Sequence, residues 1–154
     1  MTVNRHVNES VAAFVAVCRR QGVKATHQRT EILRELAGSK EHPDAETIHA
    51  RVQQRIPAIS VDTVYRTLKL LEAKGVIARV GSMRDRTRFD ANMDRHHHFV
   101  CTECGRIGDF YSDVLAAFPV PRAAAEMGRV DGVYVELRGR CRKCQREAKK
   151  PETR

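Results

Sequence analysis

Apolar residues in the first part of the chain recur every three to four positions, in stretches separated by turn formers. From Asn8 to Arg20, Val11, Phe14, Val15 and Cys18 share one face and Gly22 follows, which predicts a helix closed by that glycine. Thr26 is a side-chain acceptor placed to cap the next stretch, with Ile32, Leu33, Leu36 and Ala37 inward and Gly38 as its stop. His42-Pro43-Asp44 opens a third helix, whose Ala45, Ile48, Val52 and Ile56 point inward before Pro57 closes it. Ser60 caps a fourth, with Val61, Val64, Leu68 and Leu71 on its buried side and Gly75 at its end.

The period then changes. Val76 to Val80 and Arg84 to Asp90, around Gly81-Ser82, read as two short strands about a basic turn. Beyond Asp90, alternation marks strands at His97-Phe99-Cys101, Ile107 to Tyr111 and Val130 to Arg138. Asp113 to Phe118 and Pro121 to Gly128 read as helical, and from Lys149 the chain loses its pattern. The expected class is α+β. A winged helix-turn-helix domain over 1–88 is followed by a hinge over 89–91 and a small α/β domain over 92–148, with a disordered tail over 149–154.

Charge sharpens this picture. The 154 residues carry 28 Lys and Arg against 19 Asp and Glu, a formal net charge of +9. Such a field draws polyanions, yet it also serves solubility. The fourth helix bears a second stripe, Asp62, Thr63, Tyr65, Arg66 and Lys69, opposite its apolar one. An Arg-Tyr-Lys stripe is what entry into a DNA major groove demands, since Arg forks onto guanine and Tyr offers a ring and a hydroxyl. A solvated amphipathic helix has the same look, so the stripe alone leaves both readings open. The hairpin that follows, with Arg84, Arg86 and Arg88 placed to lie near phosphates, favours the DNA reading.

No stretch approaches the ~18 apolar residues that span a bilayer, and Val11 to Cys18 runs into Arg19 and Arg20, so a cytoplasmic protein without membrane attachment is expected. Aromatics are 5% of the residues and Trp is missing, so any core rests on aliphatic side chains and benefits from a metal or a partner chain.

The sequence holds 5 cysteines. Cys18 falls on the apolar face of the first helix and reads as packing. The others form two C-x-x-C knuckles, Cys101/Cys104 and Cys141/Cys144, with Gly105 easing the first turn. Two such knuckles supply the four thiolates of a structural Zn(II) site. A thioredoxin-like redox pair needs only one, at a helix start, and fits poorly.

Arg95-His96-His97-His98 precedes the first knuckle. On a strand His96 and His98 face the same side, and Asp90, Asp109 and, from the other half, His42 can add donors. Imidazoles with carboxylates suit Fe(II), Mn(II) or Zn(II). A histidine run on a solvated surface reads the same way by periodicity.

Taken in order, Gly22-Val23-Lys24-Ala25-Thr26-x-x-Arg29, His42-Pro43-x-Ala45, Ser60-Val61-x-Thr63-Val64-Tyr65-Arg66-x-Leu68, Arg88-Phe89-Asp90 and His96-His97-His98-x-x-Cys101-x-x-Cys104-Gly105 resemble the ferric uptake regulator (Fur) family, over roughly residues 8 to 148. The resemblance implies a homodimeric winged-helix regulator, usually a repressor, that binds double-stranded palindromic operators when a regulatory metal is loaded. It implies His42, Asp90, His96, His98 and Asp109 as regulatory ligands, and Cys101, Cys104, Cys141 and Cys144 as structural zinc ligands. Lys24, Tyr65 and Arg66 fall at positions that touch DNA. Aspartate at both 90 and 109 resembles the peroxide-sensing branch, in which Fe(II) lets hydrogen peroxide oxidise a ligand histidine (here His42 or His96) and Mn(II) gives a peroxide-insensitive repressor. Arg66 resembles the iron-sensing branch instead. Phe99 and Val133 stand where other members place auxiliary ligands.

No nucleophile motif or Gly-rich phosphate loop accompanies these residues, so an enzyme is not expected. A metallohydrolase would need a substrate pocket and a positioned base. A zinc-ribbon interaction protein would leave the Tyr65-Arg66-Lys69 stripe idle, and an iron or zinc uptake regulator of the same family is the nearest alternative.

Overall fold

The computed structural model describes residues 2–83 and 86–148. Within them the chain divides into two compact units, one ending at Met93 and the other beginning at Asp94.

The first unit is helical with a two-stranded hairpin: α1 (Thr2–Arg20), α2 (His27–Gly38), α3 (Ala45–Gln53), α4 (Val61–Ala73), β1 (Ala78–Met83) and β2 (Arg86–Asp90). The three internal helix starts are capped by Thr26, Asp44 and Ser60, whose side chains accept from the backbone N–H of Arg29, Thr47 and Thr63. Gly22 and Gly75 take left-handed φ values of 64° and 66° after α1 and α4. There Val23 N–H reaches back to Cys18 C=O and Val76 N–H to Leu71 C=O, closing both helices.

The apolar stripes meet in one core that contains Phe14, Ile32, Leu33, Leu36, Ile48, Val52, Val64, Leu68, Leu71, Ile77 and Phe89. Each such side chain contributes roughly 1.5–3 kcal/mol by leaving water. Cys18 is buried among them as packing. An ionic brace fastens the turn after α3 to α2: Glu31, itself buried, receives Arg34 and Arg55, and Arg55 also reaches Glu35 at 2.9 Å.

The second unit is built on a three-stranded sheet of order β4-β3-β5, from β3 (His97–Cys101), β4 (Ile107–Phe110) and β5 (Glu136–Gly139). β3 pairs antiparallel with β4 and parallel with β5. α5 (Asp113–Ala116), α6 (Arg122–Ala125) and α7 (Arg142–Glu147) complete it. Its core is small, with Val100, Cys101, Ile107 and the ring of His97 fully enclosed.

Several elements differ from the sequence expectation. α1 begins at Thr2 rather than near Asn8, and α3 stops at Gln53, leaving Ile56 half-buried in the following turn. Val61, expected inside, is 42% exposed because it is the first residue of α4, a turn short of the core. β1 runs on through Gly81-Ser82, where a turn was expected, with a bulge between Val80 and Ser82. The strand expected over Val130 to Arg138 is only Glu136–Gly139, since ladder partners on β3 begin at His98 and the chain before Val135 has no strand to pair with. The helices expected over Asp113 to Phe118 and Pro121 to Gly128 are single turns, the first ending ahead of Pro119 and the second starting after Pro121 as its N-cap, and α7 was not anticipated. Arg84 and the tail over 149–154 lie outside the described residues.

Candidate nucleic-acid interface and metal centres

The outer stripe of α4 is presented as its sequence requires. Tyr65, Arg66 and Lys69 are exposed, and with Arg79, Thr87 and Phe89 of the hairpin they line a cavity of about 340 Å³. Arg66 Nε bonds Asp62 Oδ2 at 2.9 Å one turn earlier, leaving the guanidinium's outer edge to reach away from the helix. Tyr65 Oη donates to Glu46 Oε1 at 2.6 Å, a bond from α4 to the first turn of α3. That bond, then burial, raises the phenol above its ordinary value of 10.0. Thr63 is half-buried and its hydroxyl pairs with Ser60 Oγ at 2.9 Å, so it belongs to the cap as much as to the reading face. Lys24 is exposed at the loop before α2, its carbonyl accepting from Arg29 at 2.8 Å.

Arg86, expected at phosphates, is half turned inward. Its Nη1 donates to Asp44 Oδ2 at 3.1 Å while the side chain stays 67% exposed. Arg88 donates to His42 C=O at 3.0 Å, and Phe89 N–H to Pro43 C=O at 3.3 Å. The His42-Pro43-Asp44 corner is thereby bound along β2.

At that corner His42 has a left-handed φ of 48°, which a side-chain-bearing residue rarely adopts. Its Nε2 lies 3.4 Å from Asp90 Oδ2, and both residues are buried. An imidazole nitrogen and a carboxylate oxygen so placed are two donors aimed at one point.

The second unit holds three more donors. His96 Nε2 and His98 Nε2 are 2.9 Å apart, and Asp109 Oδ1 lies 3.7 Å from the first and 3.5 Å from the second. The pairing of His98 with Asp109 across β3 and β4 sets that approach. His96 Nδ1 is 2.6 Å from Asp94 C=O, which fixes Nδ1 as the protonated nitrogen and turns Nε2 outward as a lone-pair donor. His97 faces the other way, as alternation demands: its Nδ1 accepts from Val135 N–H at 3.3 Å and its ring packs 5.5 Å from Phe110. It anchors the entry to β5.

The knuckles converge. The Sγ atoms of Cys101, Cys104, Cys141 and Cys144 all lie within 4.8 Å of one another, and Cys101–Cys144 and Cys104–Cys141 are each 3.9 Å apart. A zinc ion 2.3 Å from four sulfurs sets tetrahedral edges of about 3.8 Å, so the geometry and the donor set fit. β3 delivers the first knuckle, and the register of β3 with β5 brings Cys141 to the start of α7. A backbone bond from Cys104 leads the effects that hold the Cys101 thiol down to about 6. The bond with Cys141 leads those that push Cys144 up to about 12, as expected of thiols sharing protons that a dication displaces.

Three participants escaped the sequence reading: Glu46 beneath Tyr65, the Asp94 carbonyl behind His96, and the Asp44 bond to Arg86. Nothing in the local sequence pattern marks such pairs.

No described helix is long and apolar enough to cross a membrane. The model of the ferric uptake regulator family matches residues 20–134. The peroxide-responsive repressor PerR of Staphylococcus aureus is 33% identical over 146 residues, 94% of this chain and 95% of that protein. Among solved structures, a zinc-bound manganese uptake regulator overlays with a TM-score of 0.64 at 33% identity, covering 82% of this chain and 96% of that one. PerR from Streptococcus pyogenes gives a TM-score of 0.52 at 28% identity, covering 88% and 93%. The Helicobacter pylori Fur structure, at 21% identity and a TM-score of 0.73 over 90% of this chain and 93% of that one, speaks for the fold. With that fold, four converging thiolates and imidazole–carboxylate clusters at the expected positions, the chain belongs to the ferric uptake regulator family.

Proposed function

We propose that this protein is a cytoplasmic, homodimeric repressor that binds a palindromic DNA operator when a regulatory metal is loaded, and that it senses peroxide. One observation carries the reading: the imidazole–carboxylate donors are split between the units. His42 and Asp90 belong to the first, and His96, His98 and Asp109 to the second. His96, His98 and Asp109 make a two-imidazole, one-carboxylate set able to hold Fe(II) or Mn(II), and His42 and Asp90 are further donors of the same kind. All five on one ion make a mixed N/O shell suited to either metal.

Sharing an ion ties the reading helix to the pairing unit through a hinge at 89–91. Occupancy biases the chain toward that closed arrangement by the ion's differential affinity for it. The bias passes outward through His42 and the bonds that fasten its corner to β2. Lys24, Thr63, Tyr65, Arg66, Lys69, Arg84 and Arg86 are the proposed DNA contacts, with Arg66 directed at base edges and the hairpin at phosphates. The zinc-bound thiolates serve structure alone. Exposed apolar side chains of the second unit, Val114 at 79% and Met127 at 88% among them, support burial against a second copy.

When bound, iron(II) supplies the reducing electron for hydrogen peroxide, and the aspartates at 90 and 109 together with PerR kinship support that use over plain iron or zinc uptake control. The protein's part is to hold His42 and His96 rings beside the ion, where oxidation costs a ligand and releases DNA.

The test is operator selection and gel shift at stated salt, with and without Mn(II), followed by peroxide treatment of the Fe(II) form. One added oxygen on the His42 or His96 peptide is expected with Fe(II) and not with Mn(II). If neither form is modified while metal-dependent binding persists, the protein is an iron or zinc uptake regulator instead.

A further inference from the structure

The hydroxyl of Tyr65 is committed before DNA arrives. In the 2.6 Å bond the Tyr65 hydroxyl donates to Glu46 Oε1, a carboxylate oxygen that only accepts, so the bond uses the Tyr65 proton. What remains outward on the oxygen is lone-pair density. Tyr65 is 47% exposed on the same stripe as Arg66, so that oxygen belongs to the surface offered to a groove.

Base edges sort by this property. In the major groove adenine carries an amino group at position 6 where guanine carries a carbonyl, and cytosine carries an amino group at position 4 where thymine carries a carbonyl. A hydroxyl that donates elsewhere can bind the amino members and is repelled by the carbonyl ones. The second carboxylate oxygen of Glu46 adds to the same preference and discourages phosphates from this spot. Asp44 and Arg86 stand nearby with opposite charges.

We propose that Glu46 is a specificity-determining residue: by accepting the Tyr65 proton it makes Tyr65 an obligate acceptor, which selects adenine over guanine, or cytosine over thymine, at one operator position. The inference rests on the DNA-binding reading above and adds the direction of base choice.

The experiment uses the full chain with Mn(II) and a randomised duplex library, followed by competition between duplexes that differ by one transition. Wild type is expected to show one position with about a tenfold preference for the amino base. Glu46→Gln, whose amide can donate to the phenol oxygen, should level or invert that position. Tyr65→Phe should level it, and adding Glu46→Gln to Tyr65→Phe should raise affinity evenly without altering the profile. A spectrophotometric phenol titration supplies a reading independent of DNA, in which Glu46→Gln should bring the Tyr65 transition down. An unchanged base profile in Glu46→Gln, or an unchanged phenol titration, overturns the inference and leaves the DNA-binding reading intact. If wild type selects no duplex at all, that reading falls and takes the inference with it.

Discussion

Asp44 holds two elements at once: Oδ1 accepts from Thr47 N–H at 2.8 Å, capping α3, and Oδ2 accepts from Arg86 Nη1 at 3.1 Å on β2. A single carboxylate so joins α3 to the hairpin, 42 positions further on. Asp44→Ala removes a cap and a part-buried charged bond together. It should cost about 1–3 kcal/mol. Urea melts should show a lower midpoint with an unchanged slope, and a shift within ~0.3 kcal/mol of zero would show that neither bond matters in solution.

Zinc removal tests the second unit separately. Its enclosed core is small, and a four-thiolate ion adds on the order of 10 kcal/mol to folding. Cys101→Ser or chelation should abolish amide-exchange protection in β3 and β5 while α2 and α4 stay protected. A native exchange pattern throughout would show that the thiolate cluster is dispensable.

His42→Ala removes one proposed donor and leaves position 42 in the same left-handed backbone, since alanine keeps the Cβ that makes this conformation costly. Fold and zinc content should be retained, with metal-dependent DNA binding lost. Gel shifts with and without Mn(II) read this directly. Metal-stimulated binding at the wild-type level would remove the shared-ion model.

Arg66→Ala should weaken operator binding by about 1–3 kcal/mol and relax base preference. Arg86→Ala should instead weaken binding evenly across sequences and also lower stability, because its exposed guanidinium bonds Asp44 while facing solvent. Comparing salt dependences tests this: the slope should fall by about one for Arg86→Ala, and an unchanged slope would remove it as a phosphate contact.

Much of this molecule is written locally. Thr26, Asp44 and Ser60 cap helices because a short acceptor before an amphipathic run satisfies orphan N–H groups wherever the run is placed. The thiolate knuckles are legible for the same reason, since the two-residue spacer fixes each sulfur pair within one turn. His96 and His98 on one side, with His97 on the other, follow from strand alternation alone.

What the sequence leaves open is which distant segments meet. β5 shrank to Glu136–Gly139 because alternation reports a side chain's face and says nothing about whether a partner strand extends that far. Tyr65 with Glu46 and Arg86 with Asp44 are pairings between elements, decided by how α3, α4 and the hairpin pack. Sequence periodicity set the helices, the caps and the candidate ligands, because those depend on neighbours a few residues away. Tertiary packing decided whose proton is spent and which charges are engaged, because hydrogen bonds form between atoms brought within 3 Å or so, however far apart they lie along the chain.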